Sequence, residues 1–509
     1  MATLIVPPPA PPEEAREFPL TSNAELRNSP AAKLTSRSER VAQMLVLAVV
    51  FAAPALICVH IACANDPDIW WHLRTGEWMF QHHALPRVDI FSSANAGKPW
   101  VPYSWLYELL AFRLFQGLGL VGVVGYSAGM VLAITIALWH MIKRHQADFS
   151  LVALLIFGTC YSMGHLFTPR PWLFTILFFV LEINILMQVR KTGRARELAW
   201  LPVIFALWSN IHIQFIDGLL VLGLAAVEAI VTNRGVGFKT LLRVPAVIAA
   251  LVASVLATLV NPFGWRIYKV AYELAAQPGV LDKINELKAI PFRDPTDFTV
   301  LFFALAAATA LAWHRRVQLF EVGLLVFGLV VSFRSQRDVW VICIAAAAIL
   351  ATTVPGKQAT IPLPRFAIRL AMVIAVVATI AGFRVLKVNN QVLGDQVKQT
   401  YPVNAVNEIL AKGYRGPLYN EFNWGGYLIW SLRMPVSIDG RAAFYGDKAI
   451  DRSVATWNAD PDWTSDPALQ SAGIVIGPVK SPLFQVLKTS PRFKLAYEDK
   501  TAAVYVARR

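Results

Sequence analysis

The chain has 509 residues, 56% of them apolar and only 16% charged, with a mean hydropathy of +0.49. Soluble domains carry about 25% charged residues, so a string of ordinary soluble domains is excluded. The net charge is +14, from 47 Lys and Arg against 33 Asp and Glu. Such an excess suits nucleic acid or cytoplasmic membrane loops, and its placement decides between them.

Residues 1–40 are polar and proline-rich, with PPPAPP at 7–12, and read as a disordered cytoplasmic tail. The first apolar run begins near Val41 and is long enough to span, which is not a signal-peptide pattern. Apolar runs at 42–63, 118–142, 151–168, 172–189, 198–212, 215–232, 244–261, 298–313, 319–334, 338–354 and 366–386 predict a polytopic α-helical membrane protein of eleven transmembrane helices. All four cysteines, Cys58, Cys63, Cys160 and Cys343, lie in apolar runs, so no disulfide is expected in an exported domain.

With the N-terminus inside, the inner loops hold 14 basic residues, from Lys143 and Arg144 to Arg365 and Arg369. The short outer loops hold three: Arg170, Arg334 and Arg337. That is the positive-inside asymmetry, and it absorbs most of the net charge. A nucleic-acid partner therefore loses its main support. The reading is a multi-pass protein of the inner (plasma) membrane, with spans over 41–386 and large outer loops at 64–117 and 262–297. Within the first loop, 103–116 predicts an amphipathic helix. Residues 387–509 predict an extracytoplasmic α/β domain, with helical periods at 402–412 and 446–456 and strand-like ones at 416–420, 435–438, 472–476 and 502–507.

Ionisable residues at membrane depth are costly, so their positions carry information. Here they crowd the outer ends: Asp66, Asp68, His72 and Arg74 after the first span; His165 and Arg170; Asn210, His212 and Asp217; and Arg334, Arg337 and Asp338. The inner ends read as ordinary basic caps. Asp66 and Asp68, flanking Pro67, can converge on one cation such as Mg or Mn, or one of them can act as general base. A turn or helix cap is the bland alternative. Arg334 and Arg337 oppose the charge bias and suit a phosphate, or simply snorkel to lipid headgroups. Arg170, between two prolines, is rigidly placed to add to that site. Trp208-Ser209-Asn210-Ile211-His212 ends a short span at what reads as a polar cavity. Glu286 and Lys288 read as part of a solvated loop, and Glu182 has no functional account. Tyr419–Tyr427 and Ile438–Arg441 read as structural turns. No P-loop, no GxGxxG following a strand and no Cys/His metal spacing is present.

The run Asp66-Pro67-Asp68-Ile69-Trp70-Trp71-His72-Leu73-Arg74-Thr75-Gly76-Glu77-Trp78 resembles the DxDxWWHLxxGxW stretch of a bacterial branch of the GT-C superfamily of membrane glycosyltransferases, grouped loosely with protein mannosyltransferases. Asn210 to His212 and the Arg334/Arg337 pair match that branch's other elements. The acidic motif also resembles the first one of oligosaccharyltransferase catalytic subunits. Trp424-Gly425-Gly426-Tyr427 lacks the aspartate of their acceptor motif, which argues against peptide-sequon recognition. The resemblance implies transfer of a sugar from a polyprenyl-linked donor to an acceptor on the extracytoplasmic face. Asp68 and then Asp66 would be catalytic, with a divalent metal between them. His72, Arg74, Arg170, Asn210, His212, Arg334 and Arg337 would bind substrate. A lipid-linked substrate transporter or flippase, and a non-catalytic envelope-assembly protein, are the competing readings.

The topology is testable with alkaline phosphatase fusions. A fusion after Arg509 should be active and one after Arg196 silent; the reverse would turn every candidate residue toward the cytoplasm.

Overall fold

In the computed structural model, residues 30–61, 66–232, 243–276, 284–314, 318–356 and 363–508 are described. Cys63, Asn65, Arg234, Lys239, Arg315, Arg316 and Lys357 lie outside them, as does most of the tail read as disordered. Each of the eleven apolar runs coincides with a helix: α1 (Pro30–Ile61), α4 (Leu120–Lys143), α5 (Phe149–Ser162), α6 (Trp172–Thr192), α7 (Trp200–Ile211), α8 (Phe215–Thr232), α9 (Arg243–Thr258), α11 (Pro295–Trp313), α12 (Leu319–Arg334), α13 (Val339–Thr353) and α14 (Arg365–Val385). The numbers between belong to α2 (Ile69–His82), α3 (Trp105–Leu118) and α10 (Arg266–Ala275).

Among the described residues, seven helices are long and apolar enough to cross a membrane. The other four are α5, α7, α9 and α12, with 14, 12, 16 and 16 residues. At 1.5 Å per residue, 12 residues reach about 18 Å, short of a ~30 Å hydrocarbon core. Two of them end earlier than their apolar runs: α5 stops at Ser162, before a 3-10 turn over Gly164–Leu166, and α9 stops at Thr258. In the other direction, α1 begins at Pro30, so residues 30–40 are helical where the composition argued disorder.

The most enclosed helix is α13, whose run Ala345–Ala348 is almost wholly buried. Small side chains there let α11 and α12 pack closely along it. At one end of the bundle Arg190 bridges Glu228 at 2.8 and 3.1 Å and Glu321 at 3.4 Å, and its guanidinium lies 4.7 Å from the Phe320 ring. This buried ion cluster ties α6, α8 and α12 together, which corrects the reading of those ends as simple basic caps.

The first loop folds on top of the other end. Helix α2 is clamped between α3 and a later helix, Gly425–Leu432. A Cβ at Gly76 would sit 2.1 Å from the Glu108 carbonyl oxygen, so the motif's glycine permits the close α2–α3 contact. After α14 come α15 (Asn390–Thr400), α16 (Val403–Lys412), β1 (Leu418–Asn420), α17 (Gly425–Leu432), α18 (Asp447–Trp457), β2 (Ile474–Pro478), β3 (Phe493–Glu498) and β4 (Ala502–Ala507), with shorter helical turns among them. The sheet order is β1-β2-β4-β3, with β1 and β2 parallel and the other pairs antiparallel. Residues 435–438 are not a strand; Val436 makes a single bridge to Ser92. The strand missing from the sequence reading is β3, an edge strand whose Lys494 and Leu495 are exposed and blur the alternation.

The tail does not stand apart. Trp70 meets Tyr401 and Tyr427 edge-on, at centroid distances of 5.7 and 5.2 Å. The Arg441 guanidinium grips Asp439 at 2.8 and 2.7 Å, reaches Asp89 of the first loop at 2.8 Å, and lies 4.7 Å from the Trp100 ring. Both carboxylates are fully enclosed. Removing one member of a buried ion set leaves charge without a partner, which costs about 3–5 kcal/mol. Arg441→Ala should therefore lower the thermal unfolding midpoint markedly and expose the 387–509 segment to trypsin. An unchanged midpoint and digestion pattern would contradict this role.

Candidate active site

The backbone after α1 turns at Asp66-Pro67-Asp68 and enters α2. Asp66 Oδ1 accepts from the Asp68 backbone N–H at 3.0 Å, so Asp66 stabilises the turn. Asp68 occupies the N-cap position of α2, yet its side chain caps no helical N–H. The cap explanation therefore fails for Asp68, whose carboxylate turns instead to Arg170.

Arg170 is the hub of the site. Its Nε lies 2.6 and 2.7 Å from the two oxygens of Asp66, and a terminal nitrogen donates to Asp68 Oδ2. The second terminal nitrogen faces Glu286 at 3.9 Å. The segment carrying Arg170 is pinned from three sides: Tyr107 donates to the Pro169 carbonyl, Tyr126 donates to that of Arg170 at 2.9 Å, and the Trp172 ring lies 4.9 Å from the guanidinium. The rigid placement expected from the flanking prolines is met, but the donors go to carboxylates. Glu286, read from sequence as part of a solvated loop, stands beside them.

The remaining oxygen of Asp68, Oδ1, lies under Gly440. A Cβ at that position would fall 1.8 Å from it. The Ile438-Asp439-Gly440-Arg441 turn is thus a roof over Asp68, and only glycine fits there. Its spacing from Asp68 along the chain, more than 370 residues, hides this from any sequence motif.

Burial pushes the Asp68 carboxyl up to about 7; Arg170 pulls the other way, and Asp66 and Glu286 add to the rise. His72 packs on the Trp71 ring at 3.6 Å and meets Glu108 at 3.2 Å. Burial holds the His72 ring well below its usual range, with Arg170 and His212 adding to the effect, and burial holds Glu108 well above the carboxylate range. Both shifts favour an uncharged pair. Glu108 is a site neighbour that sequence reasoning missed, because one acid on an amphipathic helix carries no signal.

The other expected residues divide. His212 closes α7; its Nδ1 lies 2.9 Å from Thr175 Oγ1, and Arg170 and Arg337 are within electrostatic reach. Arg337 has a buried Nε without a hydrogen-bond partner. Its contact with Asp338 is 3.9 Å long. The two neighbours meet at all because Gln336–Asp338 is a 3-10 turn rather than the α-helix that would face them apart. Asp338 instead accepts from Gln214 at 2.7 Å. Asn210 is engaged structurally: its oxygen accepts from Trp105 Nε1 at 2.9 Å, and its amide donates to the Ala206 and Val260 carbonyls at 2.7 and 2.8 Å. It also lines a shallow apolar groove of about 420 Å³ with Leu106, Leu207 and Pro262. Arg74 is drawn away from the centre to Glu77 at 2.5 Å, which Arg433 also grips at 2.9 Å. Arg334 is exposed at the end of α12.

The Mg or Mn expected between the two aspartates does not fit this arrangement. Three of the four carboxylate oxygens of Asp66 and Asp68 are taken by a guanidinium, and the fourth is capped by Gly440. Among the described residues no cluster of three His, Cys, Asp or Glu could hold a metal.

No protein-family model matches the chain, and no curated protein matches it in sequence. Solved structures do. ArnT from Cupriavidus metallidurans in the apo state aligns with a TM-score of 0.51 at 12% identity, over 90% of this chain and 97% of that one. The same protein bound to undecaprenyl phosphate gives 0.47 at 13% identity over 90% and 97%. The apo oligosaccharyltransferase of Archaeoglobus fulgidus gives 0.49 at 11% identity, over 85% of this chain and 69% of that one. An Archaeoglobus fulgidus oligosaccharyltransferase structure in complex with Zn and sulfate gives 0.47 at 12%. The chain shares its overall fold with ArnT.

If Asp68 is the working base, activity should rise with pH through an acid limb near 7, because the ionised carboxylate is the active form. Asp66→Asn removes a like charge that raises Asp68, so the limb should move to lower pH. Asp68→Asn should cost about 10²–10⁴ in rate, with membrane level unchanged. Full complementation of a deletion strain by Asp68→Asn would show that residue to be a turn element.

Proposed function

We propose, with that shared fold as the premise, that this protein transfers a sugar from a polyprenyl-linked donor to an acceptor on the extracytoplasmic face of the membrane. One observation carries the reading. A carboxylate pair clamped by Arg170 lies at the same end of the bundle as Arg337, a guanidinium with a buried donor and no hydrogen-bond partner for it.

The parts take complementary roles. The shallow apolar groove beside Asn210 offers a lateral approach for the polyprenyl chain. Arg337 binds the donor phosphate; Arg170, whose donors are spent on Asp66 and Asp68, orients the acids instead. Asp68 accepts the proton of the acceptor nucleophile as that atom attacks the anomeric carbon. The carbon–oxygen bond to phosphate breaks, and Arg337 takes up the charge that develops on the leaving phosphate. In this reading the N-terminus is inside and the 387–509 domain outside, so these groups face the outer side. A transporter would instead require polar groups along a path through the bundle. The buried ion clusters described here lie at its two ends, which favours the enzyme over the flippase.

The test is initial rate against polyprenyl-linked donor concentration in proteoliposomes. An Arg fork makes two charge-assisted bonds where Lys offers a point charge. Arg337→Lys should raise the apparent donor KM, and Arg337→Ala should raise it further. If Arg337→Ala reproduced the wild-type donor curve, Arg337 would be a headgroup snorkel and this assignment would fall.

A further inference from the structure

The hydrogen-bond chain behind His212 defines the proton on its ring. Trp208 Nε1 lies 2.8 Å from Thr175 Oγ1, and Thr175 Oγ1 lies 2.9 Å from His212 Nδ1. Trp208 and Thr175 are completely buried, and His212 is 7% exposed. An indole N–H can only donate, so it occupies a lone pair of the threonine hydroxyl. That hydroxyl has one proton and no other acceptor among the described residues. Were His212 protonated at Nδ1, two donors would point at Oγ1 and the hydroxyl proton would be stranded without water. The arrangement is satisfied when Thr175 donates to Nδ1, which leaves the neutral ring's proton on Nε2.

The three groups are held firmly enough for this to matter. The Trp208 ring stacks on Phe205 at 5.6 Å and leans on Phe178 at 5.8 Å. A Cβ at Gly218 would fall 2.6 Å from that ring. Helix α7 stops at Ile211, and His212 follows in extended backbone, with its N–H bonded to the Trp208 carbonyl at 2.9 Å. No described residue accepts from His212 Nε2. Arg170 and Arg337 are both within electrostatic reach of the ring, and Arg337 Nε is likewise without a partner.

We propose that Trp208 and Thr175 are positioning residues that lock His212 as an Nε2–H donor, and that this donor and Arg337 Nε together receive an anionic phosphate oxygen of the lipid-linked substrate. The ligand half rests on the function proposed above; the protonation half does not. A neutral donor among guanidinium groups adds a directional contact without adding a further positive charge that the arginines would repel.

The experiment is two-bond proton–nitrogen correlation NMR on 15N-histidine-labelled full-length protein in lipid nanodiscs, with the His212 signals identified by their loss in His212→Asn. The wild-type ring should carry its proton on Nε2. Thr175→Ser should preserve that state, whereas Thr175→Val should give a mixture or the Nδ1 form. Undecaprenyl monophosphate, used as the probe, should move the Nε2 proton signal in wild type and bind about tenfold more weakly to Thr175→Val. A wild-type ring protonated on Nδ1, or a state unchanged in Thr175→Val, overturns the relay whatever the protein's function. A ring in the expected state that ignores the probe overturns the phosphate assignment and leaves the relay supported.

Discussion

The structure depends on a buried guanidinium that satisfies two carboxylates at once. Arg170 and Asp68 are each 9% exposed, so neither could remain charged there alone. Arg170 sits between α5 and α6, while Asp66 and Asp68 follow α1. Their union fixes the exit of the first helix against the rest of the bundle and sets the direction in which α2 leaves. From α2 follow the clamp with α3, the seating of Trp70 against Tyr401 and Tyr427, and the docking of the tail. The carboxylates at the candidate site and the ion pair that fixes the first helix's exit are the same atoms.

The bundle is fastened at both ends by arginine, but to different effect. At the far end every Arg190 nitrogen has a partner among Glu228, Glu321 and Gln318, and Glu228 also accepts from the Phe320 backbone N–H at 3.0 Å. That cluster is closed. At the site end the accounts are left open: Arg337 Nε lacks a partner, and Asp68 is held near the middle of its titration. Structural clusters satisfy all their donors, whereas a site keeps some in reserve.

Much of the fold is legible in the sequence because membrane spans announce themselves locally. Every apolar run coincides with a helix, and the misplaced edges, such as those of α5 and α9, lie where polar turns interrupt an apolar composition. The Asp66–Trp78 motif is legible for the same reason: it is contiguous. What stays hidden is long-range. Nothing near Asp68 foretells Gly440, and nothing near Arg441 foretells Asp89. The pairing of Arg170 with the acids is also unreadable, since an arginine between prolines suits a phosphate as well as a carboxylate. Arg74 lies within the motif, and its pairing with Glu77, which Arg433 of the tail shares, is equally unreadable from the sequence. Thr175 carries no sequence signal at all, because a threonine in the first turn of an apolar helix looks like any other.

The Gly440 roof has a consequence for biogenesis. The acids emerge from the ribosome among the first hundred residues, whereas the turn that covers them comes near the end of the chain. Until that turn folds, Asp68 Oδ1 lacks the cover that Gly440 provides. A chain truncated before residue 440 would keep Arg170 beside Asp68 but lack the turn that lies over its Oδ1.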